Sequence, residues 1–219
     1  MPIPPLAGLT TYNKAADPGY SVEQNVKCFL RYAWIHKRMM ESGLYWLAST
    51  PEWEVKEALG LHLSLDADNA ASIRVRVGEM RNPVPRMDIC PDLAIDRLFN
   101  ELWTATDTLE KIVGLYGVIR PALMAAYQTH YDEINPTFDH PTWRMIKHIL
   151  VDQDDITAWG DEAVAAVVVT PEDEARAEAW RTHLETYLLA AGGITGELQK
   201  PVALPDARSN GKFEPDFFP

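Results

Sequence analysis

The chain has 219 residues and a formal net charge of −12, from 20 basic and 32 acidic side chains. This length suffices for one sizeable hydrophobic core, and the acidic balance argues against a nucleic-acid partner, which requires clustered Lys and Arg. The chain lacks a signal-peptide pattern, an apolar run long enough to span a bilayer and cysteines in metal-binding spacing, so we expect a cytoplasmic protein with reduced thiols and no membrane partner.

The N-terminal half predicts an arm followed by two long helices. Residues 1–21 are rich in proline and predict an extended arm. Between 22 and 48 the chain loses proline and apolar residues recur at helical spacing, which predicts the first helix. Ser49-Thr50-Pro51-Glu52 then combines a hydroxyl cap, a proline for the first helical position and an early acid. A second helix is therefore expected to begin there and to end near Arg81.

The C-terminal half predicts three further helices and a tail. A third helix is expected from about Pro91 towards His130. Its expected bends are at Gly114, Gly117 and Pro121. A fourth is expected from about 141 to 165, and a fifth between the cap at Thr170 and Gly192-Gly193. Residues 194–219 lack periodicity, but the three phenylalanines of 213–219 favour a tail that packs back on the bundle or on a second subunit over a disordered one.

Short connections between the first and second long helices, and between the third and fourth, predict two antiparallel hairpins. The predicted fold is all-α, a four-helix bundle with one longer crossover. The predicted organisation is an arm over 1–21, a bundle over 22–193 that includes the fifth helix, and an extended tail over 194–219.

A pattern of the form His-x3-Asp-x2-(Asn or Asp) occurs once in the second helix and once in the fourth. Its residues are His62, Asp66 and Asn69 in the second helix and His148, Asp152 and Asp155 in the fourth. Positions i, i+4 and i+7 share one face of a helix, so each set predicts a polar strip on an otherwise apolar helix. Two such strips indicate a bundle with a polar centre, as in di-iron carboxylate proteins.

Three stretches resemble the ferritin-like superfamily, specifically a bacterial branch of its di-iron carboxylate members. They are Pro51-Glu-Trp-Glu-Val-Lys56, the segment from Asp66 to Arg76, and the segment from Asp139 to Gly160. The likeness covers roughly residues 22–165 and implies a ferritin-like four-helix bundle. In such proteins, Glu-x-x-His on the second and fourth helices, with a single Glu on each of the other two, holds the metals.

The chain departs from this ligand pattern at every position. The second-helix motif falls on Asp66-x-x-Asn69. The fourth falls on Asp152-x-x-Asp155 if the internal repeat sets the register, or on Gln153-x-x-Ile156 if the Trp159-Gly160 end sets it. Neither register supplies a histidine, so we expect no cofactor, with non-haem iron held by an altered ligand set as the alternative.

Antiparallel geometry predicts what faces the two strips. Residues equally far from a turn meet, which brings Arg31 opposite Asp66 and Asn69, and Arg120 opposite Asp152 and Asp155. A buried carboxylate is costly unless it is paired. The expectation is therefore that guanidinium groups have replaced metal in this bundle.

The predicted site is a cavity between the second and fourth helices. The expected catalytic residues are His62, Asp66, His148 and Asp152, with each carboxylate orienting an imidazole for acid–base work. The expected ligand-binding residues are Arg31, Trp34, His36, Asn69, Tyr116, Arg120 and Asp155.

Three functions fit these residues. The first is a metal-free bundle that binds a small organic molecule in its interior and performs acid–base chemistry on it, such as cyclisation, decarboxylation or proton transfer. The second is a non-haem di-iron oxygenase or oxidase with altered ligands. The third is a non-catalytic binding or assembly protein. The expected partner is a small molecule, and the oligomeric state is left open, with a homodimer as one option.

Overall fold

The computed structural model describes residues 3–197 and 202–209, and in these ranges the chain forms helices and no strand. A 3-10 turn at Leu6–Gly8 precedes the α-helices, and a π-helical turn, Leu115–Ile119, joins α5 to α6. The α-helices are α1 (Tyr12–Ala15), α2 (Val22–Ser49), α3 (Trp53–Met80), α4 (Leu93–Leu102), α5 (Thr108–Gly114), α6 (Arg120–Glu133), α7 (His140–Val167) and α8 (Pro171–Ala190). The all-α prediction is confirmed. Within the described ranges, no helix combines the length and apolarity needed to cross a membrane.

Side-chain caps fix where the long helices begin. The Ser21 hydroxyl accepts from the Gln24 backbone N–H, and the Gln24 side chain accepts from the Ser21 N–H, which completes a capping box at α2. Thr170 and Asp173 form the same arrangement at α8. The predicted bounds of α2, α3, α7 and α8 are confirmed to within two residues.

The prediction of a continuous third helix is wrong, because the chain breaks between α4 and α5. The Thr104 hydroxyl donates to the Glu101 carbonyl, and the Asp107 carboxylate accepts from the Glu110 N–H and caps α5. Such short polar side chains compete with the helix for backbone groups. At the position of the predicted bend the chain forms the π-helical turn, which begins directly after Gly114.

The long helices form a bundle of two antiparallel hairpins. Three residues connect α2 to α3, and residues 134–139 connect α6 to α7. The longer crossover makes α3 and α6 parallel, since His62 contacts Tyr116 and, one turn further along both helices, Asp66 contacts Arg120. α8 packs on the outside of the bundle, against α4 and α5.

α3 and α7 run antiparallel with a register set near their ends. The rings of His62 and Trp159 lie 5.4 Å apart, and at the other end Arg76 Nε donates to Thr142 Oγ1 at 2.7 Å. Next to Trp159, α7 comes so close to the π-helical turn that a Cβ on Gly160 would lie 2.8 Å from the Cβ of Tyr116. Glycine is therefore needed at this crossing.

The described part of the C-terminal tail packs on the bundle. The backbone N–H groups of Arg208 and Ser209 donate to the buried Glu101 carboxylate at 2.8 and 3.1 Å, and the Tyr187 hydroxyl donates to the Pro205 carbonyl. These bonds tie residues 202–209 to α4 and α8. The phenylalanine-rich segment 213–219, which was predicted to pack back, lies outside the described residues.

Candidate functional site

Asp66 is the centre of a buried polar network contributed by three helices. The Oδ2 atom of its carboxylate accepts from Arg120 Nη2 at 2.8 Å, and Oδ1 accepts from His36 Nδ1 at 3.0 Å. Arg120 Nη1 lies 3.4 Å from the same Oδ1 atom. The other ring nitrogen of His36 lies 2.8 Å from the Tyr127 hydroxyl. Each of these four side chains is almost completely buried. We name this set, His36, Asp66, Arg120 and Tyr127, the Asp66 network.

The charges of the Asp66 network are balanced. Burial alone would raise the pKa of the Asp66 carboxyl, but the Arg120 charge and the hydrogen bonds from His36 and Arg120 together lower it. Asp66 is therefore an anion paired with a guanidinium. Burial raises the pKa of Tyr127 well above its ordinary value, so this phenol keeps its proton. His36 then donates from Nδ1 to Asp66 and accepts from Tyr127 at Nε2.

A second polar pair lies one helical turn away, where His62 Nδ1 is 2.7 Å from the Tyr116 hydroxyl. Burial, and next the Arg120 charge, lower the pKa of His62 to about 4, so the imidazole is neutral near pH 7. Burial raises the pKa of Tyr116, so its phenol donates to Nδ1 and the His62 proton is on Nε2. The Trp159 ring packs edge-on against both rings.

Unsatisfied polar atoms lie at the same level of the bundle as the Asp66 network. The Gln153 side chain is fully buried, and neither its oxygen nor its nitrogen has a hydrogen-bond partner among the described residues. The α3–α7 register brings Gln153 level with Asp66, and the Thr157–Met124 contact brings it level with Tyr127. A buried amide without a partner costs roughly 1–3 kcal/mol, so this layer is suited to a group that brings its own donors and acceptors.

Two more atoms of this layer have no hydrogen-bond partner within residues 3–197 and 202–209. They are Asn69 Nδ2 and Arg120 Nε, both in residues that are about 95% buried or more. Together with the Gln153 amide they offer mainly N–H donors. A complementary ligand would therefore present carbonyl or carboxylate oxygens.

The interior placement of His148, Asp152 and Asp155 is wrong. His148 and Asp155 are exposed, and Asp152 is only half-buried. α7 turns the other face inward, with Gln153 and Ile156 buried, because its orientation is set by the close contact of Gly160 with Tyr116. The internal repeat therefore does not set the register, and the cavity predicted between His62, Asp66, Asp152 and His148 is not formed by those four residues.

The predicted arginine pairing is wrong in its partners. Arg31 donates to Asp92 at 2.7 Å, and to the carbonyls of Ala191, Gly193 and Ile194, so it fastens the end of α8 to α2. Arg120 pairs with Asp66 and not with Asp152 or Asp155. A guanidinium does neutralise the buried carboxylate, but it reaches Asp66 from across the bundle.

The other predicted residues are buried, and two further residues of this layer were not predicted. His36, His62, Asn69 and Tyr116 lie inside the bundle as expected. Trp34 is also buried, with Lys37 Nζ 4.7 Å from its ring centre. The role of each in binding or catalysis stays a prediction. Sequence reasoning missed Gln153, which appeared only in the alternative register, and Tyr127. The signal for Tyr127 was its spacing of two helical turns from Arg120.

The residues present do not fit a di-iron centre. Both oxygens of Asp66 already accept from Arg120 and His36, and the remaining polar groups of the layer are the amides of Asn69 and Gln153. Across the described ranges, no group of three or more His, Cys, Asp and Glu side chains is arranged to hold a metal ion.

Comparison with protein-family models, with curated proteins and with solved structures gave no match. The fold and the site alone therefore define the class of protein, which is an all-α bundle with a charge-balanced polar network in its interior.

Proposed function

We propose that this protein is a small-molecule enzyme of ferritin-like architecture in which a guanidinium occupies the place of the metals. The two antiparallel hairpins, and the crossover that makes α3 and α6 parallel, support this architecture. The single observation that carries the proposal is the fully buried, unpartnered Gln153 amide at the level of Asp66 and Tyr127.

The ligand is a small organic carbonyl compound bound between α3, α6 and α7. The Gln153 amide orients it, since a primary amide can donate to a carbonyl oxygen and accept from an N–H at once. Asn69 Nδ2 and Arg120 Nε, which have no partner among the described residues, add donors. Arg120 is kept in place by Asp66, so its free N–H is oriented before the ligand binds.

The chemistry is proton transfer through the Asp66 network. Tyr127 takes a proton from the ligand as its own phenol proton moves to His36 Nε2. The imidazolium formed there donates from Nδ1 to Asp66, whose negative charge stabilises it. The same path in reverse returns the proton, which suits isomerisation, cyclisation or loss of a group next to a carbonyl.

Replacing Gln153 with leucine is expected to stabilise the fold and to abolish ligand binding. The change removes a buried amide that has no partner, so the free energy of unfolding should rise by about 1–3 kcal/mol. Binding of 2-pyrrolidinone, a lactam complementary to a primary amide, should be detected in the wild type through the Gln153 side-chain NH2 signals in a 1H–15N spectrum. The Gln153→Leu variant should not bind it.

The matched control is Gln128→Leu, because Gln128 is exposed on α6 and, in the described part of the chain, its side chain hydrogen-bonds only to Asp132. This variant should keep the wild-type lactam affinity. If Gln153→Leu destabilises the fold, or binds the lactam as the wild type does, the amide has a structural role and the proposed site is wrong.

Replacing Tyr127 with phenylalanine is expected to remove the proton transfer and to leave binding intact. Wild-type protein should accelerate exchange of the α-protons of cyclopentanone in D2O, followed by NMR. The variant should lose on the order of 100-fold of that rate, the usual contribution of general acid–base catalysis. Tyr131→Phe, a change to a half-buried tyrosine near the end of α6, is the control. Equal exchange rates for the wild type and Tyr127→Phe would rule out this role.

A further inference from the structure

A large open cleft lies at the end of the bundle where α3, α5 and α8 begin and where α2 and α7 end. Its volume is about 930 Å³, within the range of clefts that take drug-sized ligands. It is separate from the Gln153 layer, since it opens at the bundle end and Trp159 forms part of its wall.

The wall of the cleft is largely apolar. Val55 and Leu109 are buried side chains at its base, and Ala163 and Val167 continue the apolar surface along α7. Trp159 is half-buried and held in place by the His62 and Tyr116 rings packed behind it. A fixed indole at the wall of a cleft is well suited to an apolar ligand body or to a cation over its face.

The charge of the cleft is strongly negative. Among the described residues that line it are five carboxylates and a single cation, Arg176. Arg176 is already bonded to Asp107, so it does not offset the others. Asp107 caps α5, the Asp173 carboxylate accepts from the Thr170 N–H in the capping box of α8, and Glu52 accepts from the Thr108 hydroxyl, so the local structure accounts for these three.

Glu54, in the first turn of α3, and Glu162 of α7 differ from these three because their carboxylates have no side-chain partner of this kind among the described residues. Both side chains line the cleft, both are exposed, and neither makes a hydrogen bond or ion pair with another described residue. They come from different helices and line the same cleft as the apolar wall, so two carboxylates are available to a ligand that packs on this wall. An anion would meet these like charges, whereas a cation would find two partners.

We propose that this cleft binds an organic cation with an apolar body, such as an arylalkyl amine. The ammonium group lies between Glu54 and Glu162, and the apolar body packs on Trp159 and the α7 side of the wall. Charge complementarity selects the cation, and the apolar wall selects against small hydrated ions such as ammonium.

The test uses two probes with the same aromatic ring and opposite charge, 2-phenylethylammonium and 3-phenylpropionate. Isothermal titration should show that 2-phenylethylammonium binds and that 3-phenylpropionate binds at least tenfold more weakly. The Glu54→Gln/Glu162→Gln double variant should lose about tenfold in affinity for 2-phenylethylammonium, since a charged hydrogen bond is replaced by a neutral one. The indole N–H signal of Trp159, assigned through Trp159→Phe, should shift only when the cation is added.

Glu57→Gln is the matched control, because Glu57 is an exposed glutamate of α3 that does not line the cleft. It should bind the ammonium as the wild type does. The proposal is overturned if the two probes bind with equal affinity, or if 2-phenylethylammonium does not bind at millimolar concentration. It is also overturned if Glu57→Gln and the double variant lose the same affinity for 2-phenylethylammonium. Thermal unfolding of all variants checks that the fold is kept.

Discussion

Replacing Arg120 with methionine should lower the free energy of unfolding by about 3–5 kcal/mol, because it leaves the Asp66 charge alone in the interior. Both side chains are 1% exposed, so water cannot take over the role of the guanidinium. The remaining partner of Asp66 would be His36, whose Nδ1 lies 3.0 Å from the carboxylate. Urea unfolding followed by circular dichroism at pH 7 measures the loss.

Removing both charges should recover much of that loss. The Asp66→Leu/Arg120→Met variant has no isolated ion, so its cost is smaller than that of Arg120→Met alone. Recovery is incomplete, since His36 Nδ1 loses its acceptor. Arg181→Met is the control for the loss of an arginine, as Arg181 pairs with Glu178 at the surface of α8, where such a pair contributes about 1 kcal/mol or less. Equal and small losses for the single and double variants would show that the pair is solvated.

The fold was largely predictable because its helices carry local signals. Ser21 and Thr170 are caps, proline lies near the start of α7 and α8, and apolar residues recur at helical spacing between them. The break between α4 and α5 was not predicted, because Thr104 to Asp107 interrupt the helix through hydroxyl and carboxylate bonds to the backbone. A few such bonds do not alter the apolar periodicity on which the prediction depended.

The α3 half of the site was predictable and the α7 half was not. On α3 the polar residues Asp66 and Asn69 lie on the same face as buried apolar residues, so their position followed from periodicity. On α7 two registers differ by one residue, which rotates the helix face by about 100°. Asp152 matched the repeat, but the contact of Gly160 with Tyr116 selects Gln153. That contact joins two segments that are distant in the sequence, so the local residue pattern of α7 does not indicate it.

The partner of Asp66 was missed for a related reason. Facing positions were derived within a hairpin, which indicated Arg31, whereas the guanidinium comes from Arg120 on the parallel helix across the bundle. A long side chain can reach a neighbour that hairpin geometry does not identify. Arg31 instead bonds to three carbonyls directly after α8, a segment whose position beside α2 has no local signal in the sequence.

Acidification from pH 7 to about pH 4 should destabilise the protein through two buried histidines. Burial is the main cause that lowers the pKa of His62, and also that of His130, in each case to about 4. The ordinary value of a histidine in an unfolded chain is about 6.5. Between these two values the unfolded state binds more protons than the folded state, so stability decreases as the pH falls. Above about pH 6.5 both states are deprotonated and the stability is fully present.

The expected loss is about 3 kcal/mol for each histidine once the pH has fallen to 4, since one pKa unit corresponds to about 1.4 kcal/mol. His62 is 5% exposed and His130 is 1% exposed, so little of this loss is screened by solvent. His130 lies among the rings of Tyr20, Phe29 and Tyr32, with Nε2 donating to Asn25 Oδ1 at 2.7 Å. A second proton on Nδ1 would have no acceptor there.

Urea unfolding at a series of pH values measures this dependence, and variants assign it. His62→Gln and His130→Gln should each lower the stability at pH 7, because a buried hydrogen bond is lost. Each should also make the free energy of unfolding less dependent on pH between pH 6.5 and 4. His148→Gln should leave the shape of the curve unchanged, because His148 is exposed on α7. If the slope of the wild type is kept in both buried-histidine variants, the acid sensitivity belongs to carboxylates. In that case the interior does not hold these imidazoles in their neutral form, and the assignment of the His62 proton to Nε2 is wrong as well.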